Sequence, residues 1–160
     1  MPYTEDEIAF LRSRSDLGTG SLATVSSDGQ PDVVAVSYEF DDTFLYIGGL
    51  NQLTSRKYRN VVGGNSKVAF FLEFRDPQFP MSLQWMRIYG TADIVERKGR
   101  FDSVQTHGAE DREASQYLRI APTISWGFNL EGRQFAEFDV ENYKNRAAVR
   151  RNDHGAEGIR

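Results

Sequence analysis

The chain has 160 residues, no cysteine, two histidines, a formal charge of −4 and a mean hydropathy of −0.53. That length suits one domain with a single core, and the acidic balance argues against a general binder of nucleic acid or of anionic membrane. Without cysteine there is no thiolate catalysis and no cysteine-held metal, and His107 and His154, both expected in polar loops, offer little basis for a zinc site or a Ser-His-Asp triad.

The amino-terminal stretch MPYTEDEIAF is acidic and lacks a secretory signal's apolar core. No run approaches the roughly 20 apolar residues that span a bilayer, so a cytoplasmic protein is expected. Thr4-Glu5-Asp6-Glu7 fits a capping box, with Ile8 and Leu11 on one face of a first helix that ends near Gly18 to Gly20. SLATVS and PDVVAVSYEF flank Ser27-Asp28-Gly29, a strong hairpin signal. Asp41-Asp42 turns the chain into TFLYIGG, which predicts a three-stranded meander. LTSRKYRNVV reads as a short helix stopped at Gly63-Gly64, and SKVAFFLEF as an apolar strand. LQWMRIYGTADIVE is a long strand in which Gly90 marks a bend or bulge. Residues 97–119 are polar and helix-like, and PTISWGFNL gives a last strand, extended by RQFAEFDV.

These elements make a mainly β chain with short helices (α+β): six antiparallel strands in a small barrel or rolled sheet. Residues 1–142 form the expected domain, and the charged residues 143–160 a mobile or draped polar tail.

Between Thr43 and Leu72 there is no Asp or Glu, yet Arg56, Lys57, Arg59 and Lys67 occur there. Three of these cations fall within TSRKYRN. A solvated basic helix face is the ordinary reading of such a cluster. No acid lies at i+3 or i+4 to pair with these cations, and Ser55 and Asn60 add neutral donors, which favours a phosphate clasp. Gly48 and Gly49 either end a strand or allow close approach of a flat ligand. Val33, Val34, Ala35 and Val36 are core-like, while a planar ring could lie along that strand and use its amides as hydrogen-bond partners. Trp126 is a barrel-end aromatic or a lid on that ring. Arg87, inside an apolar strand, needs an ion-pair partner or an anion.

GSLATVSSDGQPDVVAVSYEF, FLYIGG, SRKYRNV and MRIYGTADIVE together resemble the pyridoxamine-phosphate-oxidase-like split β-barrel superfamily. They are most similar to its flavin/deazaflavin oxidoreductases that use coenzyme F420. LATV-x-x-DG-x-P, K-x-R-N and G-T-A are in register from about Thr19 to Glu96, and ISWG resembles a motif of one subgroup. The resemblance implies a six-stranded split barrel, a homodimer with the cofactor in the interface groove, and a small-molecule substrate. It assigns the phosphate to Lys57 with Arg59 and Asn60, the ring to Val34, Ala35 and Val36, and the late aromatic to Trp126. It names no catalytic side chain and no metal. Relatives often carry an arginine where this chain has Ser55, so Arg56 or Arg59 would supply that charge. The oxidase branch's basic-Leu-Leu-Lys pattern is absent from TFLYIGG, which argues against oxidation of pyridoxamine phosphate. The expected activity is reduction of an unsaturated compound by reduced F420. FMN in the same fold, or flavin or F420 binding without turnover, are the alternatives.

Overall fold

The computed structural model describes residues 2–15, 19–49, 52–99, 115–132 and 149–155. Helix α1 (Glu5–Ser15) opens with the expected box: the Thr4 amide donates to the Glu7 carboxylate at 2.8 Å, and the Glu7 amide to the Thr4 hydroxyl at 3.3 Å. Ile8, Phe10 and Leu11 are buried against the barrel.

Strands β1 (Thr19–Val25) and β2 (Pro31–Ser37) form the predicted hairpin, with Gly29 at φ 88° in its turn. There β2 stops. Tyr38 separates it from β3 (Glu39–Phe40), and β4 (Leu45–Ile47) follows. A Gln52–Thr54 turn of 3-10 helix leads into α2 (Arg56–Val62). Then come β5 (Lys67–Asp76), the long β6 (Phe79–Arg97), β7 (Ser115–Phe128) and β8 (Arg150–Asp153).

All the described strands belong to one antiparallel sheet in the order β2-β1-β5-β6-β7-β4-β3, with β8 beside β7. β2 and β3 stand at opposite edges, although one residue separates them in sequence. The sheet therefore curls until its edges meet at Tyr38. That side chain is fully buried, donates to the Leu11 carbonyl at 2.8 Å and sets its ring edge-on to Phe70 at 5.3 Å. Leu22, Leu45, Ile47, Phe70, Met86, Ile88, Leu118 and Ile120 fill the inside.

Among the described residues the strands number eight rather than six, because PDVVAVSYEF is divided between two edges and β8 is added. The predicted meander stops at the hairpin: β4 pairs with β3 and β7, not with β2. Residues 115–119, expected to be helical, are strand, paired with β6 throughout and with β4 at Leu118 and Arg119. Gly90 does mark a bulge, at the register shift after Tyr89. Residues 150–153 of the expected tail pair with Ile124–Gly127 as β8. RQFAEFDV and His107 lie outside the described residues. No helix among the described residues is long and apolar enough to cross a membrane.

Candidate functional site

The basic heptapeptide does form a helix, but folding sends its polar side chains in different directions. Ser55 is the N-cap: its hydroxyl accepts from the Tyr58 amide at 3.3 Å and donates to the Gln52 carbonyl at 2.7 Å. Asn60 is buried and donates to the Thr24 hydroxyl at 2.8 Å, which ties α2 to β1. These two were expected in a phosphate shell. Their hydrogen bonds are taken up by the fold instead, because a short helix needs a cap and a buried amide needs a partner.

The cations separate as well. Arg56 and Arg59 are exposed and line a groove of about 400 Å³ beside the β1–β2 turn, with Ser26, Asp28 and Gln30. Arg56 also stands 4.0 Å from the Asp32 carboxylate. Lys57 turns the other way, toward the end of β4, and is half-buried. Burial lowers its pKa, and no carboxylate among the described residues pairs with it.

The adjacent glycines have different reasons to be glycine. At Gly48 a Cβ would lie 2.7 Å from the buried Tyr117 ring, so that residue serves barrel packing and not ligand approach. At Gly49 a Cβ would meet only Gln52 Oε1 at 3.4 Å and Lys57 Nζ at 3.6 Å. Gln52 is 6% exposed, and its Nε2 donates to the Ile47 carbonyl at 3.1 Å. Its Oε1 is buried without a partner. A half-buried cation and an orphaned acceptor thus border one small gap. This arrangement fits a phosphate carried on a polar chain, and the sequence reading had not included Gln52.

On β2, Val34 is 40% exposed and Ala35 is exposed, while Val36 points into the core at 7%. Only Val34 and Ala35 of that trio can present side chains to a ring. β1 is the one strand paired with β2 among the described residues, so the outer backbone edge of β2 is open.

Trp126 belongs to a different region. On the outer face of the sheet Phe71, Arg87 and Trp126 form one cross-strand row, with Ala23, Ala69 and Tyr89 in the next. The Arg87 guanidinium lies 4.2 Å from the Trp126 ring centre, and Tyr89 meets that ring edge-on at 4.8 Å. Arg87 Nε is buried without a partner. A groove of about 390 Å³ crosses this face between Pro31, Ala69 and Tyr89. α2 is tied to β7 through Tyr58, whose hydroxyl donates to Gln116 Oε1 at 2.6 Å. Trp126 follows ten residues later on the same strand, which is about 33 Å of extended chain. A single chain does not bring Trp126 and Lys57 together.

A serine, a histidine and a carboxylate do converge. Ser125 Oγ is 2.7 Å from His154 Nε2 and donates to Glu7, which also accepts from Asn152 at 2.7 Å. Ser125 gives its only proton to Glu7, so His154 Nε2 must donate to Ser125 and cannot act as its base. Ser125 is also fully buried. The cluster joins α1, β7 and the end of β8, and burial lowers the His154 pKa. Among the described residues no His, Asp and Glu group has the geometry to hold a metal ion.

The family model for pyridoxamine 5'-phosphate oxidase matches residues 5–145. The chain belongs to the pyridoxamine 5'-phosphate oxidase family. Within that family it is 35% identical, over 136 residues, to the 5a,11a-dehydrotetracycline/5a,11a-dehydrooxytetracycline reductase of Streptomyces rimosus, covering 82% of this chain and 87% of the relative. A Listeria innocua protein named for pyridoxamine 5'-phosphate oxidase superposes with a TM-score of 0.61 at 18% identity, over 78% of this chain and 97% of that one. The heme storage protein HutZ of Vibrio cholerae superposes at 0.53 with 20% identity, over 74% and 89%. The last two likenesses describe the fold alone: the split barrel characteristic of this family. The relation to a named reductase supports an oxidoreductase.

Proposed function

We propose that this protein binds F420 at the interface of a homodimer and uses it to reduce an unsaturated small molecule. The observation that carries the reading is the gap at Gly49, where Lys57 is half-buried with no carboxylate partner among the described residues, beside the orphaned oxygen of Gln52. Similarity to a reductase of dehydro compounds supports the direction of the chemistry.

When bound, reduced F420 supplies the hydride. The protein's part is binding and placement. Lys57 holds the phosphate, with Arg56 or Arg59 adding positive potential at the neighbouring groove. The open edge of β2 at Val34 and Ala35 offers backbone amides and an apolar wall. Trp126 of the partner subunit covers the ring, which answers the separation within one chain. The outer face, with Phe71 36%, Tyr89 43% and Val33 69% exposed, supplies the apolar surface for dimer contact. Water exclusion and orientation account for catalysis without a protein nucleophile.

FMN is the second reading, favoured by the family's own name. Fluorescence titration of the purified protein with F420 and with FMN separates the two. The expected result is saturable F420 binding, loss of that signal in Lys57→Ala by about 1.5–3 kcal/mol, and oxidation of reduced F420 by a polycyclic enone. Retention of FMN with no deazaflavin binding would reject the first reading in favour of the second.

A further inference from the structure

We infer that Gln52 is the positioning residue for the Lys57 ammonium, and through it for the cofactor phosphate. The inference rests on the function proposed above and adds a residue that neither the basic motif nor the family resemblance singles out.

Two unmet requirements share one gap. Gln52 is 6% exposed and its amide orientation is fixed, because Nε2 donates to the Ile47 carbonyl at 3.1 Å. A reversed amide would set two oxygens against each other, so Oε1 has to face the gap. It is buried there without a donor. Lys57 Nζ borders the same point, 3.6 Å from where a Gly49 Cβ would sit, against 3.4 Å for Oε1. The two atoms are therefore at most about 7 Å apart, which one rotamer change of a lysine can close. An ammonium has three donors. When an anion draws Lys57 inward, one donor meets Oε1 and two remain for phosphate oxygens. Pairing relieves both the orphaned acceptor and the half-buried cation.

Gly49 completes the device, since a side chain there would be in contact with both groups and crowd their approach. Burial also depresses the Lys57 pKa, in keeping with an ammonium that no carboxylate among the described residues pairs with.

The test compares ligands that differ in the phosphate. F420 is titrated beside its phosphate-free deazaflavin core, and FMN beside riboflavin, into wild type, Gln52→Met, Lys57→Ala and the double variant. Gln52→Met should weaken the phosphate-bearing member of the binding pair about three- to tenfold and leave the phosphate-free member within twofold. The double variant should bind no more weakly than Lys57→Ala alone. Gly49→Ala, which keeps the Ile47 hydrogen bond, should reproduce the phosphate-selective loss even where Gln52→Met folds poorly.

Equal losses for both members would mean that Gln52 supports the backbone and does not position Lys57. That outcome overturns the inference, as does an unchanged affinity in both Gln52→Met and Gly49→Ala. If Lys57→Ala weakens phosphate binding while those two do not, the proposed function stands and the Gln52 role alone fails. If neither ligand pair binds wild type, or Lys57→Ala changes nothing, both fail.

Discussion

Two neighbouring glycines should respond in opposite ways to the same methyl group. In Gly48→Ala the new carbon would lie 2.7 Å and 3.0 Å from two ring atoms of Tyr117. Tyr117 is 1% exposed and sits on β7 between β4 and β6, so it has little room to retreat. Overpacking of this kind costs about 1–3 kcal/mol. In a domain of this size each kcal/mol moves Tm by about 2–4 °C, so a fall of about 2–12 °C is expected. In Gly49→Ala the nearest atoms are at 3.4 Å and 3.6 Å, which is ordinary contact. The loss of unfolded-state freedom then stabilises by about 0.4–1 kcal/mol, and Tm holds or rises slightly. Thermal unfolding of both proteins without ligand, followed by circular dichroism in one buffer, measures the contrast. Equal losses, or a neutral Gly48→Ala, would refute the claim that one glycine serves packing and the other an open gap.

Mixing Lys57→Ala with Trp126→Leu tests the shared site. If each site takes Lys57 from one subunit and Trp126 from the other, randomly reassorted dimers regain about a quarter of the intact sites, whereas sites built within one chain regain none. His154 predicts a pH effect. Its folded pKa lies below the usual 6.5, so the stability it contributes is present above that value and is lost as pH falls toward the folded pKa. Tm should therefore drop as pH falls below about 6.5 in wild type and drop less in His154→Gln. Asp28 and Asp41, whose carboxyl pKa values lie below the usual range, lose their contribution only at lower pH. Asn60→Ala removes the buried bond to Thr24 and should cost about 1–3 kcal/mol in denaturant melts without phosphate-selective loss of binding.

What could be read in the sequence was local. The capping box at Thr4, the Asp28-Gly29 turn, the stop at Gly63 and the bulge at Gly90 each depend on a few adjacent residues, and each is present. Features set by distant partners were not legible. Nothing in PDVVAVSYEF announces that one half pairs with β1 and the other with β4, because both halves carry strand-forming residues. Residues 115–119 look polar and helical until β6 pairs with them throughout and β4 at Leu118 and Arg119. The clasp shows the same limit: the cluster is visible in the sequence, but that Lys57 faces Gly49, that Ser55 caps α2 and that Asn60 bonds Thr24 depend on the fold, and Gln52 gave no sequence signal. A lone glutamine in a turn matters only through the atoms it faces.

The passage of the chain through Tyr38 fixes a length that other connections leave free. One continuous segment supplies both rims of the sheet, and along each strand successive side chains leave the backbone toward opposite faces. An insertion of one residue there would invert the facing of Glu39 and Phe40, taking the Glu39 carboxylate away from Arg97 and Phe40 away from the core it packs against. The Ser27–Gly29 turn, which joins strands already paired, can lengthen without that penalty. Variation in loop size among proteins of this architecture should thus spare the Ser37–Glu39 joint, where the barrel is spliced by its own backbone.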